Sequence, residues 1–503
     1  MRSFLVLILV GALGFLAGCG SNGTPAGVVL SIQLTPSSAS VNASGVVNIT
    51  ASVANDSSGK GVSWSLSGVG KLSSQTSTGA TYTAPATVTT TSVATVTATS
   101  IASSSVTASL PITVSPAGTT ANVVPISVNG GPLTTANPPT IYTNAAFVSV
   151  QVCATSGACQ TIPDILVDTG SFGLRLLASE VTVPLTPITD GSGNTLYDCV
   201  QFVDNSFLWG TVAPANIIVG GETATSTSIQ LIANPSFSIP SGCSGTNEDT
   251  QTLLGANGIL GVGPEPFDCG LACDPSAGGN PPTVYYLCSS GGSCNTTFVS
   301  CGSLCSDSNP NLQVTNPVFN FPVDNNGTIL TLPAVNDVAA TVTGTLTFGI
   351  GTESNNTLPS TATLFTLDSS DNFTTNFGGQ ALTASFIDSG SNGYFFPQVN
   401  NLQICTDNMS WYCPPTTTQF SATNVDPNNG STTNTVTFNV DDFDSVTAAN
   451  PTAAAFSNLA GPMLCTSSPC TFDWGLPFFY NRSVFTAIDG TTTPNGNGPF
   501  WAY

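Results

Sequence analysis

One short pattern occurs twice, each time at the end of an apolar run: Ile165-Leu166-Val167-Asp168-Thr169-Gly170-Ser171 and Phe386-Ile387-Asp388-Ser389-Gly390-Ser391. A carboxylate at the tip of a buried strand is costly unless donors surround it. The Thr or Ser, Gly and Ser that follow supply hydroxyl groups and a close backbone approach. One copy would constrain little. Two copies predict a fold that brings two such strand ends together, with Asp168 and Asp388 as a pair of candidate catalytic residues.

Composition removes most competing chemistries. The chain has 503 residues, 5 basic against 27 acidic, and no histidine. No Ser-His-Asp or Cys-His nucleophile, no histidine-bound zinc and no imidazole base is available, so carboxylates must carry any acid-base work. A net charge of −22 opposes phosphate backbones, and no nucleic-acid partner is expected. Neither a metal nor a cofactor is called for. The length allows two or three domains.

Residues 1–18 carry Arg2 and then an apolar stretch from Phe4 to Gly18, too short to span a bilayer. This reads as a signal peptide. Its end, Leu16-Ala17-Gly18-Cys19, resembles the lipobox of bacterial lipoproteins, which implies lipidation at Cys19, a membrane partner through that lipid, and a place in the cell envelope on the outer membrane or cell surface. An ordinary secretory peptide with an incidental Cys19 is the other reading. Setting Cys19 aside leaves 15 − 1 = 14 cysteines, an even number suited to an oxidising compartment. Close spacing suggests the pairs Cys153 with Cys159, Cys269 with Cys273, Cys288 with Cys294, Cys301 with Cys305, Cys405 with Cys413 and Cys465 with Cys470, leaving Cys199 for Cys243. A thiolate metal cluster in 269–305 is disfavoured by irregular spacing.

After a linker at 19–27, residues 28–116 read as short strands rich in Val, Thr and Ser, with alternation in Val62-Ser63-Trp64-Ser65-Leu66 and in Ala94-Thr95-Val96-Thr97-Ala98-Thr99. A small β-sandwich is expected. From Trp64 through Tyr82-Thr83-Ala84-Pro85 to Ile112-Thr113-Val114 the segment resembles bacterial immunoglobulin-like domains, which implies a spacer or adhesion module. Residues 117–503 keep a β character with Gly and Pro punctuation. Asp168 is followed by Gly258-Ile259-Leu260-Gly261-Val262-Gly263, and Asp388 by Phe472-Asp473-Trp474-Gly475-Leu476. The separations are similar, 261 − 168 = 93 and 475 − 388 = 87. Two lobes of one design, 117–322 and 323–503, would produce this.

These motifs resemble the pepsin-like aspartic peptidases in order across roughly residues 120 to 503. The resemblance implies an all-β chain whose sandwich is followed by a bilobal double-β domain. It also implies Asp168 and Asp388 as the catalytic dyad, Ser171 and Ser391 bonding their outer oxygens, and Thr169 and Ser389 making hydroxyl contacts between lobes, with Gly170 and Gly390 giving close approach. Ile259-Leu260-Gly261 and Asp473-Trp474-Gly475 match the family's second motif, and Phe478-Phe479-Tyr480-Asn481-Arg482-Ser483-Val484-Phe485 resembles its last strands. The chain departs from the family at Phe202, which stands for the flap tyrosine, and at Arg175, which stands for its tryptophan partner. Arg175 is expected in the cleft, beside an acidic flap residue such as Asp204 or a substrate carboxylate, or in a plain surface ion pair. Asp473 occupies a usually apolar place, and the insertion 264–320 has no counterpart. Tyr394-Phe395-Phe396 reads as core and cleft wall.

The expectation is therefore a monomeric extracytoplasmic endopeptidase acting on peptides or proteins. Its alternative is a catalytically silent module of the same fold that binds peptides or surface polymers. If Cys19 carries the anchor, Cys19→Ala should release the protein from membranes, and retention of that variant in detergent-free membrane fractions would exclude the lipid.

Overall fold

Alternation of small apolar residues with Thr and Ser builds the first strands. In the computed structural model, Ser92–Ser100 buries Ala94, Val96 and Ala98 while Thr95, Thr97 and Thr99 stay half-buried. This model describes residues 30–503 except 36–38, 43–44, 86–87, 89–91, 116–121, 234–236, 306–307, 400–401 and 467. The signal segment, Cys19 and the linker lie outside the described residues. The chain is all-β and divides into two compact units, Met1–Thr119 and Thr120–Tyr503. Among the described residues no helix is long and apolar enough to cross a membrane.

The first unit has two four-stranded sheets. One joins Ser31–Thr35, Val46–Ala54, Gly79–Thr83 and Lys71–Ser73; the other joins Ala39–Asn42, Thr107–Ser115, Ser92–Ser100 and Val62–Ser67. Ile49, Tyr82, Val96, Leu110 and Ile112 share one buried cluster. Each such side chain contributes about 1.5–3 kcal/mol by leaving water. Trp64 is half-buried at the sheet margin, where its indole N–H donates to the Thr76 carbonyl at 2.8 Å.

The second unit repeats one arrangement of four strands. In the first copy, Cys159–Asp168 runs parallel to Gly258–Val262, which runs antiparallel to Phe172–Leu177, which is parallel to Glu222–Ile232. In the second copy, Gln380–Ile387 runs parallel to Asp473–Trp474, which runs antiparallel to Tyr394–Phe396, which is parallel to Ala460–Pro462. The registers agree: Leu166 pairs with Ile259 and Phe386 with Asp473, each two residues before its aspartate. Seven residues past each aspartate, Arg175 pairs with Ile259 and Phe395 with Asp473.

The first copy belongs to a 16-stranded sheet that also takes in Val342–Phe348, Gly327–Leu332 and Arg482–Ala487. The second belongs to a seven-stranded sheet backed by a cluster of rings that includes Phe377, Phe396, Phe438, Phe472 and Trp474. Tyr394 and Phe396 are buried in this core, while Phe395 is half-buried. All 14 cysteines of the second unit pair, in the seven disulfides Cys153–Cys159, Cys199–Cys243, Cys269–Cys273, Cys288–Cys294, Cys301–Cys305, Cys405–Cys413 and Cys465–Cys470. Such a set marks a chain that matures in an oxidising compartment outside the cytoplasm.

Glycine is required where the strands of each copy cross. A Cβ on Gly475 would lie 2.0 Å from the Gly393 carbonyl oxygen, and one on Gly261 would lie 2.6 Å from the Phe172 nitrogen. Gly191, in an exposed turn, has open space around it. Gly475→Ala should therefore cost about 3 kcal/mol or more in denaturant unfolding, and Gly191→Ala less than roughly 0.5 kcal/mol. Equal effects would contradict the crossing.

Candidate active site

Each aspartate ends a buried strand, and the loop after it turns back on its own carboxylate. Asp168 Oδ1 accepts from the Gly170 N–H at 2.8 Å, and its Oδ2 accepts from the Ser171 hydroxyl. Asp388 Oδ1 accepts from the Gly390 N–H at 2.7 Å, and its Oδ2 accepts from the Ser391 hydroxyl at 2.8 Å. Donors to both oxygens offset the loss of hydration.

The residue after each aspartate crosses to the other copy. Thr169 Oγ1 donates to the Ile387 carbonyl at 3.0 Å and accepts from the Ser389 N–H at 2.9 Å. Ser389 Oγ donates to the Val167 carbonyl at 2.7 Å and accepts from the Thr169 N–H at 3.1 Å. Both side chains are buried. These bonds press the loops together: a Cβ on Gly170 would lie 2.5 Å from Asp388 Cγ, and one on Gly390 would lie 2.7 Å from Asp168 Cγ. The same Gly390 Cβ would lie 2.7 Å from Asp168 Oδ1 and 3.1 Å from Asp388 Oδ1, which sets the two carboxyl groups side by side. Asp168 is 6% exposed; burial first, and then the charge of Asp388, push its carboxyl well above the ordinary range. Asp388 is half-buried and Gly170 exposed, so the pair opens to solvent on one side.

Arg175 is not a cleft residue. It is 1% exposed, and its guanidinium pairs with Asp198 and, at 3.0 Å, with Asp268. It also donates to Gln230 Oε1 at 2.8 Å. The expected partner Asp204 instead accepts from the Ser206 N–H at the hairpin turn. The reason is register: Arg175 lies opposite Gln230 and Ile259 inside the sheet, where two buried acids hold it firmly protonated against the opposing effect of desolvation. Asp268 lies within the insertion, and its other oxygen accepts from Tyr285, whose hydroxyl oxygen accepts from the Val314 N–H. Arg175 thus anchors 264–320 to the first copy. Burial pushes Asp198 up to about 7, with the negative Asp268 adding to the rise and Arg175 opposing it.

Phe202 lies just beyond Thr195–Gln201, at the turn into Ser206–Val219, and packs partly buried against a cluster that includes Leu208, Leu254 and Ile259. It brings no hydroxyl group toward the pair. Asp473 is 1% exposed, so the acid expected at an apolar place is indeed buried. The sequence reading did not foresee Asp198 and Asp268 as the partners of Arg175, and no spacing signal pointed to them.

The chain belongs to the family described as "Protein of unknown function (DUF3443)", whose profile matches residues 118–503. No curated protein matches the chain.

Carboxyls crowded by burial and by one another recur across this unit. Glu265 is pushed up to about 8 by burial and then by Asp371 and Asp489; Glu248 reaches about 7 by burial and then by Asp204; Asp371 reaches about 6 by burial and then by Asp489. A carboxyl raised by folding holds its proton more tightly in the folded state. The stability it adds is fully present below the ordinary carboxyl value of about 4 and is lost as pH rises through its folded value. Asp56, Asp190 and Asp274, lowered by hydrogen bonds, act in the opposite sense at the acid end. Calorimetry should therefore show the melting temperature falling as pH rises from about 5 to about 8; a melting temperature that climbs over that interval would contradict these raised acids.

Proposed function

We propose that the chain is a lipid-anchored extracytoplasmic aspartic endopeptidase of the pepsin-like type, which hydrolyses peptide bonds with the pair Asp168 and Asp388. The observation that supports it is the symmetric pairing of the two loops, each carboxylate held by its own glycine and serine and each following hydroxyl bonded into the opposite copy. Two carboxyls this close do not both ionise easily, and they share one proton. The ionised one takes a proton from water as the water oxygen bonds to the substrate carbonyl carbon. The protonated one gives its proton to the carbonyl oxygen. Collapse of the resulting diol expels the amine, which leaves with a proton returned by the pair. The titration belongs to both groups together.

A silent peptide-binding module of the same fold is the second reading, favoured by Phe202, which offers no hydroxyl where a flap tyrosine would. Digestion of a peptide library by the purified protein at several pH values separates the two. Cleavage is expected at acidic pH. Asp168→Asn and Asp388→Asn should each lower kcat by roughly a thousandfold or more, and the double variant should be scarcely worse, because the residues act as a unit. Binding without cleavage by the wild type would leave the binding module, and cleavage that survives either substitution would rule out the dyad.

A further inference from the structure

The two copies match strand for strand, yet they differ at one place beside the pair. Ile259 in the first copy and Asp473 in the second hold the same register, opposite the residue two before each aspartate. The first copy offers a hydrocarbon there and the second a carboxyl group. We infer that Asp473 is a neutral positioning residue that donates its carboxyl proton to Ser391 Oγ and, through Ser391, makes Asp388 rather than Asp168 the carboxylate of the pair. This rests on the paired-aspartate reading of the site.

The hydrogen-bond inventory supports the direction of donation. A serine hydroxyl has one proton and can also accept. Ser391 gives its proton to Asp388 Oδ2 at 2.8 Å, so toward Asp473 its oxygen is left to accept. Ser391 lies against the strand end that carries Asp473: its carbonyl oxygen accepts from the Leu476 N–H at 2.7 Å, and a Cβ on Gly475 would lie 2.7 Å from that oxygen. Asp473 Oδ1 is buried with no partner among the described residues, a state costly for an ionised carboxylate and milder for the carbonyl oxygen of a neutral acid.

Among the described residues, the strands that flank Asp473 offer no charge to compensate an anion. Gln380–Ile387 on one side brings no titratable group, and Tyr394–Phe396 on the other brings only Tyr394. The charges that act on Asp473 are those of Asp388 and Asp168, both negative. Burial first, and then Asp388, raise its carboxyl well above the ordinary range.

The consequence is a division of labour within the pair. A hydroxyl whose own oxygen accepts a hydrogen bond is a stronger donor, so Ser391 stabilises a negative charge on Asp388 more than Ser171, with Ile259 in that register, stabilises one on Asp168. The shared proton then rests on Asp168. Asp388 takes the proton of the attacking water, Asp168 gives its proton to the carbonyl oxygen, and the pair ends the step with one proton, moved from one member to the other.

The test compares Asp473→Ile, which copies the residue of the first copy, with Asp473→Asn, whose amide can donate to the same oxygen. In pH profiles of kcat/KM, Asp473→Ile should move the acidic limb upward by about one pH unit and lower kcat roughly tenfold with little change in KM. Asp473→Asn should restore most of the limb. An unmoved limb in Asp473→Ile, or a limb moved downward in both variants as expected on deleting a negative charge, would overturn the inference. A second readout needs no turnover: the infrared difference between wild type and Asp473→Asn at neutral pH should contain the carbonyl stretch of a protonated carboxyl group. Its absence would overturn the neutral donor. If the wild type cleaves nothing, the endopeptidase reading fails while the infrared band still decides the state of Asp473.

Discussion

The reciprocal hydrogen bonds of Thr169 and Ser389 set the geometry on which the site depends. Each hydroxyl bridges to the backbone just before the opposite aspartate, and each accepts from the opposite amide, so neither loop can shift against the other without breaking all four bonds. Both lie in a buried seam, where an unmade bond is costly. Two acidic groups that repel one another are thereby held close by neutral groups. The hydroxyls and amides that fix the spacing carry no charge, so the clamp works at any protonation state of the pair.

Departure from symmetry is as informative as the symmetry. Arg175 and Phe395 hold equivalent places, yet one is a buried cation and the other packs at a tilt against Trp411 with ring centres 5.5 Å apart. The first copy uses its place to hold an added segment through Asp268 and Tyr285, and the second fills it with aromatic packing. A buried cation between two acids has a narrow tolerance, since removing Arg175 would leave both acids without a counterion. The same excess of acid over base that shapes this network shapes the unit as a whole, whose only cations are Arg175 and Arg482.

What was legible in the sequence was whatever repeats over a short span. Asp168, Asp388 and their following hydroxyls stand in contiguous motifs, and Gly261 and Gly475 could be placed because they follow their aspartates at similar separations. Cysteine neighbours were legible through close spacing. Arg175 was misplaced because its position relative to Asp168 says which strand it sits on but not which acids the fold brings to it. Asp198 belongs to a separate strand and Asp268 to an insertion without a repeat partner. Asp473 stood out as an acid in an apolar place, but its position beside the strand that carries Asp388 exists only once the parallel pairing with Phe386 is made.

The continuity of the large sheet bears on how the chain reaches this state. Val123–Val128, the first strand of the second unit, finds most of its pairing on Val342–Phe348, and Gly327–Leu332 lies between that strand and Arg482–Ala487. Partners so distant along the chain give a high contact order and slow folding. The disulfides do not shorten these distances, since the widest spans 44 residues and links Cys199 to Cys243. During synthesis Val123–Val128 therefore waits with one flank incomplete until Val342–Phe348 has emerged, and a truncated product would present an open sheet edge, the surface on which chains aggregate.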